Sequence, residues 1–366
     1  MKRILVVVHR LSVSSGLTSF YMNYYTRMNL SDYQIDFLQT RDEETPYAEI
    51  IKKNGGTIYT LPKYKNNRDK KLYEYVDCLL TNGCYSIIHV NISDFLATLI
   101  LYYAWKNKVP HRIFHSHNTK RLGEDLKVRV LCSVYDRLCI QFATNLLACT
   151  IRAGVEIFGK KKFQVINNAI HADKFDYSEE DRNRLRKELG IKDGCIVLGT
   201  VCRQAIQKNP FFMIDILNEC VRLYGDVVLL WIGTGPLYSD VVKYAKEHGL
   251  SDNLIMVGDR EDIYRWYSAM DAFLMPSLFE GLGIVYIEAQ VSGLPTFASD
   301  CVPRDSSITE LIQYISLETD KVTWAKRIYE ACLNTERKGR VQEIIEAGYG
   351  VSKERNSLKD YYDSLD

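Results

Sequence analysis

"CIVLGTVCRQAIQKNPFFMIDILNECVRLYGDVVLLWIG", residues 195–233, decides the fold. Its two ends, "CIVLGTV" and "VVLLWIG", are short apolar runs without polar alternation. Such runs are strands buried on both faces. A helical segment lies between them, and strand–helix–strand order implies parallel strands with a right-handed crossover. Downstream, "LIMVG", "AFLMPS" and "LPTFAS" continue the series. Upstream, "ILVVV", "IDFLQ", "TIYTL", "SIIHVN", "HRIFHSH", "NLLACT" and "FQVINN" form an earlier one. Helical stretches such as "PYAEIIKKNG" and "LYEYVDCLLTNG" separate them, each expected to end at its glycine. The alternation happens twice, so the α/β chain reads as two Rossmann-like, doubly wound parallel-sheet domains facing a central cleft.

The length of 366 residues suits two cores, and 46% hydrophobic and 25% charged residues are ordinary globular values. The boundary is expected in "NNAIHADKFDYSEEDRNRLRKELGI", where Ser178 is placed to cap a charged helix that ends at Gly190. The tail "VSKERNSLKDYYDSLD" reads as a final polar helix. Net charge is +1, which excludes a global pull towards nucleic acid. Residues 106–162, however, hold twelve Lys/Arg against four Asp/Glu. That excess suits an anionic surface or a phosphate-bearing substrate, and equally a solvated face. Ten cysteines show no metal-ligand spacing and are expected as buried, reduced thiols of a cytoplasmic protein. "MKRILVVVHR" is too short in apolar residues for a signal sequence, and no run is long enough to cross a membrane. A soluble protein, with peripheral membrane contact allowed, is the expectation.

In open parallel sheets ligands bind beyond the carboxyl ends of the strands. Gly16 follows the first strand; His115, His117 and Asn118 follow a mid-domain strand. Arg203 and Lys208 share the loop after the first strand of the second half. Two permanent cations there would clamp a diphosphate, or be plain surface charges. Gly233 and Gly235 lead towards a helix with Pro236 near its first turn, which suits an anion or a simple tight turn. Glu280, Gly281, Leu282 and Gly283 follow "FLMPS", and Glu288 lies eight residues after Glu280 on the expected helix. Bare amides in "EGLG" suit a phosphate or sugar hydroxyls. His115 and His117 share one face of a strand and read as hydrogen-bonding or acid/base groups, or as satisfied structural histidines. No Asp-x-Asp, Gly-x-Ser-x-Gly, P-loop or His-Glu-x-x-His occurs.

Together "RIFHSHNT", "LLACT", "KNPFFMIDIL" and "SLFEGLGIVYIEAQVSGLP" resemble glycosyltransferase family 4, retaining enzymes of the GT-B fold, and especially their bacterial exopolysaccharide and capsule branch. The resemblance spans nearly the whole chain. It implies an N-terminal acceptor-side domain of residues 1–172, completed by a C-terminal helix over 351–366, and a donor domain of 173–350. Arg203 and Lys208 match the pair that holds the donor diphosphate. Glu280 matches the group at the transferred sugar, and Gly281, Leu282 and Gly283 the backbone touching sugar and phosphate. Glu288 matches the ribose ligand, and Asp259 and Arg260 the loop that carries the base. Gly16 matches the first Gly-rich loop, and His117 the acceptor-side histidine, with His115 as fallback. There are departures: Cys202 replaces a glycine before the arginine, "NNAIH" replaces the usual hinge pattern, and "SSGLTS" has one glycine rather than two. Ser14 or Ser15 then stands in for a backbone contact.

The resemblance implies a metal-independent hexosyltransferase without cofactor, using a nucleotide sugar, by default UDP-linked, and a saccharide or lipid-linked saccharide acceptor. Glu280 as nucleophile is one path. The other is front-face transfer, in which the leaving phosphate takes the acceptor proton while the two domains close. The stretch "KRLGEDLKVRVLCSVYDRL" mixes Lys/Arg with Leu/Val and is the candidate for contact with an anionic membrane at its inner face. A sugar-nucleotide epimerase or hydrolase, or a non-catalytic subunit of the same fold, is the alternative.

Overall fold

A computed structural model describes residues 1–12, 16–117 and 126–365. Asn118, Ser14, Ser15 and the first six residues of the 120–138 stretch fall outside the described residues. The chain divides into two compact units, Met1–Ala169 with Val351–Asp366, and Ile170–Gly350.

The first unit begins β1 (Lys2–Val8), α1 (Gly16–Tyr25), β2 (Tyr33–Gln39), α2 (Ala48–Lys53), β3 (Ile58–Thr60) and α3 (Lys70–Gly83). It continues β4 (Ile87–Val90), α4 (Phe95–Lys106), β5 (His111–Ser116), α5 (Leu126–Phe142), β6 (Asn145–Ala148), α6 (Ile151–Phe158) and β7 (Gln164–Val165). The sheet is parallel, in the order β3-β2-β1-β4-β5-β6-β7. Ile4, Val6 and Val8 enter one apolar cluster, while Leu5 and Val7 enter the other on the opposite face. A strand covered on both sides has no use for polar alternation, which is why β1 reads as an unbroken apolar run.

The second unit opens with α7 (Glu179–Glu188), β8 (Ile196–Val201), α8 (Pro210–Tyr224), β9 (Val227–Ile232), α9 (Tyr238–Glu247) and β10 (Leu254–Gly258). It continues α10 (Ile263–Ala269), β11 (Ala272–Met275), α11 (Ile284–Val291), β12 (Thr296–Ser299), β13 (Ile312–Ile315), α12 (Lys321–Asn334) and α13 (Val341–Glu346). Its parallel sheet runs β10-β9-β8-β11-β12-β13, so strand order reverses between β8 and β11. That reversal opens a crevice beyond the strand ends. Ser178 caps α7 by accepting the Asp181 amide at 3.2 Å, as its spacing predicts.

Four expectations need correction or refinement. The edge strand β13 was not anticipated; its Ile-Gln-Tyr-Ile sequence carries too little apolar signal. α3 does end at Gly83, but not through a glycine in the left-handed cap: Cys84 takes that conformation at φ 47°, and a side chain at Gly83 would collide with the Tyr85 ring at 2.1 Å. The tail is not simply polar: α14 (Ser357–Asp363) returns to the first unit and buries Leu358, Tyr361 and Tyr362 in its core. Of the ten free cysteines, Cys78, Cys84 and Cys301 are exposed rather than buried.

Candidate active site

In the second unit the crevice is built from the loops after β8, β9 and β11. The first two lie backbone to backbone. A Cβ on Gly233, at φ +120°, would sit 2.5 Å from the Cys202 carbonyl oxygen, and one on Gly235 would sit 2.4 Å from the Gln204 nitrogen. Only glycine allows that approach. Gln204 locks it, donating its amide to Gly233 O at 3.0 Å and accepting the Leu237 amide at 3.0 Å. Pro236 precedes α9, which starts at Tyr238, so the proline shapes the turn rather than the helix.

The loops after β8 and β11 meet through side chains. Lys208 Nζ lies 2.5 Å from Glu280 Oε1, an ion pair with both side chains largely buried. Gln207 donates to Phe279 O at 2.9 Å and to Glu280 Oε2 at 3.4 Å, and accepts the Leu278 amide at 2.8 Å. Arg203 is exposed and makes no ion pair among the described residues. Gly281 faces open space, with nothing within 4 Å of where its Cβ would be. Gly283 caps α11 at φ +71°, and its missing side chain makes room for the Tyr286 ring. Leu282 is buried in the core. The turn therefore shows bare backbone at Gly281 beside a neutralised Lys/Glu pair and one unpaired guanidinium.

Glu288 lies on α11, buried, and Tyr267 on α10 donates its hydroxyl to Glu288 Oε2 at 2.7 Å. Burial lifts the Glu288 carboxyl to about 7, a rise that the Tyr267 bond partly offsets. A buried carboxylate with a single hydrogen bond among the described residues has room for further hydroxyl donors. Asp259 accepts the Thr234 amide at 2.9 Å and the Thr234 hydroxyl at 2.6 Å, bracing the loop after β9. Arg260 lies over the Trp266 ring at 5.0 Å.

In the first unit Gly16 opens α1, and His115 and His117 stand at the end of β5. Their rings pack at a tilt of 32° with centroids 4.0 Å apart, and both meet the Phe20 ring edge-on. His117 Nε2 is 3.0 Å from Asn91 Oδ1. Burial pulls His117 down to about 3, so it is neutral at pH 7. Among the described residues, no group of three His, Cys, Asp or Glu is arranged to hold a metal.

Comparisons with known proteins bear on both units. Residues 181–349 match the family described as Glycosyl transferases group 1. The chain is 28% identical to EpsF of Bacillus subtilis (strain 168), named a glycosyltransferase, over 99% of this chain and 96% of that one. It is 27% identical, over 78% of this chain and 76% of the relative, to the UDP-Gal:alpha-D-GlcNAc-diphosphoundecaprenol alpha-1,3-galactosyltransferase of Escherichia coli. Anabaena Alr3699/HepE, solved with UDP and glucose, superposes with a TM-score of 0.79 at 16% identity, covering all of both chains. The chain has the GT-B fold, and its second unit matches the glycosyl transferases group 1 family.

Within this fold the structure joins Lys208 to Glu280, and packs the tilted rings of His115 and His117 together. It leaves Arg203 reaching into solvent and gives Glu288 a tyrosine partner. Gln207, Tyr267, His89 and Asn91 escaped the sequence reading. Gln207 had one usable signal, its place beside Lys208. Tyr267, His89 and Asn91 sit in or beside apolar runs and look like packing.

Proposed function

We propose that this protein is a glycosyltransferase and belongs with the retaining enzymes of family 4. It transfers a sugar from a UDP-sugar to a saccharide or lipid-linked saccharide acceptor in the assembly of a cell-surface polysaccharide. The observation that carries this reading is the Lys208–Glu280 pair at the strand reversal, beside the open backbone of Gly281. The similarity to a galactosyltransferase whose name specifies a diphosphoundecaprenol-linked acceptor supports the lipid-linked class.

The mechanism follows from charge. As the sugar–phosphate bond breaks, negative charge grows on the leaving diphosphate. Arg203, unpaired at rest, and Lys208, drawn away from Glu280, stabilise it together with the Gly281 amide. Glu280, freed on one oxygen, accepts hydroxyl hydrogens of the transferred sugar. Glu288 accepts from the ribose, and Asp259 and Arg260 flank the base. The acceptor hydroxyl attacks the anomeric carbon from the face the phosphate leaves, and its proton passes to a phosphate oxygen. Configuration is retained, and no cofactor or divalent metal enters the step.

On the acceptor side, α5 exposes Val128, Val130, Leu131 and Val134 among Lys127, Arg129 and Arg137. Its one acid, Asp136, accepts from Ser93. This face suits a peripheral seat on an anionic membrane, cytoplasmic side. Among the described residues no helix is long and apolar enough to cross a membrane.

The deciding experiment measures UDP release from a panel of UDP-sugars, with N-acetylglucosaminyl-diphosphoundecaprenol as acceptor and EDTA present. Acceptor-dependent UDP release with an α-linked product supports the reading. An inverted product, or UDP release that ignores the acceptor, overturns it in favour of a hydrolase.

A further inference from the structure

The first unit holds a run of buried polar side chains that the transfer mechanism leaves unused. Tyr21 on α1, His89 on β4 and Tyr362 on α14 are fully buried, and His115 nearly so. Tyr21 and Tyr362 hydroxyls lie 3.0 Å apart, and Tyr362 Oη lies 2.6 Å from His89 Nδ1. His89 Nε2 lies 3.1 Å from His115 Nδ1, with the two rings nearly parallel. His115 packs against His117 in turn, the rings tilted by 32° with centroids 4.0 Å apart. Elements far apart in sequence, including the last helix, thus converge on one imidazole.

Burial keeps all three histidines neutral at pH 7, so each ring has one N–H and one lone pair. An amide oxygen only accepts, so His117 donates to Asn91 through Nε2. The Asn91 amide is oriented by its own bond to His89 O at 3.4 Å. His117 Nδ1 is left as a lone pair without a partner among the described residues. At the other end a phenol is a much stronger acid than a neutral imidazole N–H, so Tyr362 donates to His89 Nδ1. His89 then donates through Nε2 to His115 Nδ1. His115 then carries its proton at Nε2, a buried atom with no hydrogen-bond partner among the described residues.

We propose that Tyr362 and His89 are positioning residues for His117. The C-terminal helix fixes one tautomer of His89 and of His115, and so the ring against which His117 packs. His117 Nδ1 is thereby held ready to accept a hydroxyl hydrogen from the acceptor sugar. No bond is made or broken along the relay. The proposal rests on the proposed function, with His117 serving the acceptor side as the resemblance to family 4 implies.

The test is side-chain nitrogen NMR of the full chain labelled at histidine, joined to the UDP-release assay with the same lipid-linked acceptor. The wild type is expected to show Nε2–H on His89, His115 and His117. In Tyr362→Phe, His89 and His115 move towards the other tautomer, while Asn91 keeps His117 protonated at Nε2. The acceptor KM rises about tenfold and the donor KM stays unchanged. Tyr21→Phe, which leaves the Tyr362 donor in place, is expected to keep wild-type tautomers and kinetics. Nδ1–H on His89 in the wild type overturns the proposal without any variant having to fold. So does an unchanged acceptor KM in folded Tyr362→Phe. A wild type that releases no UDP from any donor sinks the functional reading instead, and the tautomers separate that failure from failure of the relay.

Discussion

Lys208 Nζ and Glu280 Oε1 sit 2.5 Å apart on side chains only 17% and 7% exposed. Breaking one partner strands a charge that water reaches poorly, whereas replacing both with apolar groups does not. Lys208→Met should cost about 3 kcal/mol of stability. Lys208→Met with Glu280→Leu should recover most of it while remaining inactive. Glu280→Gln should lower turnover about 100-fold. Thermal melts and UDP release check all three, and full activity in Glu280→Gln would remove it from the site.

Glu288 gives a pH dependence with a definite sign. Its folded value of about 7 lies above the ordinary 4.5, so the folded state holds the proton more tightly. The stabilisation is complete below about 4.5 and is lost as pH rises through 7, in total about 3 kcal/mol. Glu288→Gln should therefore gain on the wild type in melting temperature between pH 5 and pH 8. UDP binding, which needs the carboxylate to accept ribose hydroxyls, should tighten over pH 6–8 and release protons. Calorimetry in buffers of different ionisation enthalpy reads that release.

Gly281 and Gly283 are two residues apart and should respond in opposite ways to the same substitution. Alanine at 283 meets both φ +71° and the Tyr286 ring at 2.5 Å, and should cost about 1–3 kcal/mol of stability. Alanine at 281 meets no protein atom. Its melting temperature should match wild type while turnover falls about 100-fold, because the methyl occupies the donor's place. Equal activity in Gly281→Ala would show that this backbone does not face the ligand.

For α5, Val130→Glu with Leu131→Glu changes side chains that are 58% and 50% exposed, so folding should be unaffected. Wild-type protein should sediment with phosphatidylglycerol vesicles and not with phosphatidylcholine vesicles, and high salt should release it. The double variant should stay in the supernatant.

The sheets were legible because strands covered on both faces leave long apolar runs such as Ile4 to Val8. Cationic and acidic candidates were legible by their place after strands. Their pairing was not: Lys208 and Glu280 are 72 residues apart, and only the strand order brings them together. Tyr267 and Tyr362 were hidden because a buried tyrosine contributes the same apolar pattern whether or not its hydroxyl has work. The Gly83 position misled for a related reason, since close packing against Tyr85 and a left-handed helix cap ask for the same residue.

The return of α14 to the first unit reverses the order in which synthesis completes the two units. Residues 170–350 form an uninterrupted stretch and have all their parts once Gly350 leaves the ribosome. The unit begun first must wait for Leu358 and Tyr362, which plug its core from the far end of the chain. During that interval its apolar face is uncovered and open to chaperones or aggregation. Nascent chains stalled with residue 350 just outside the exit tunnel should therefore be protease-resistant in their later half and sensitive in their earlier one.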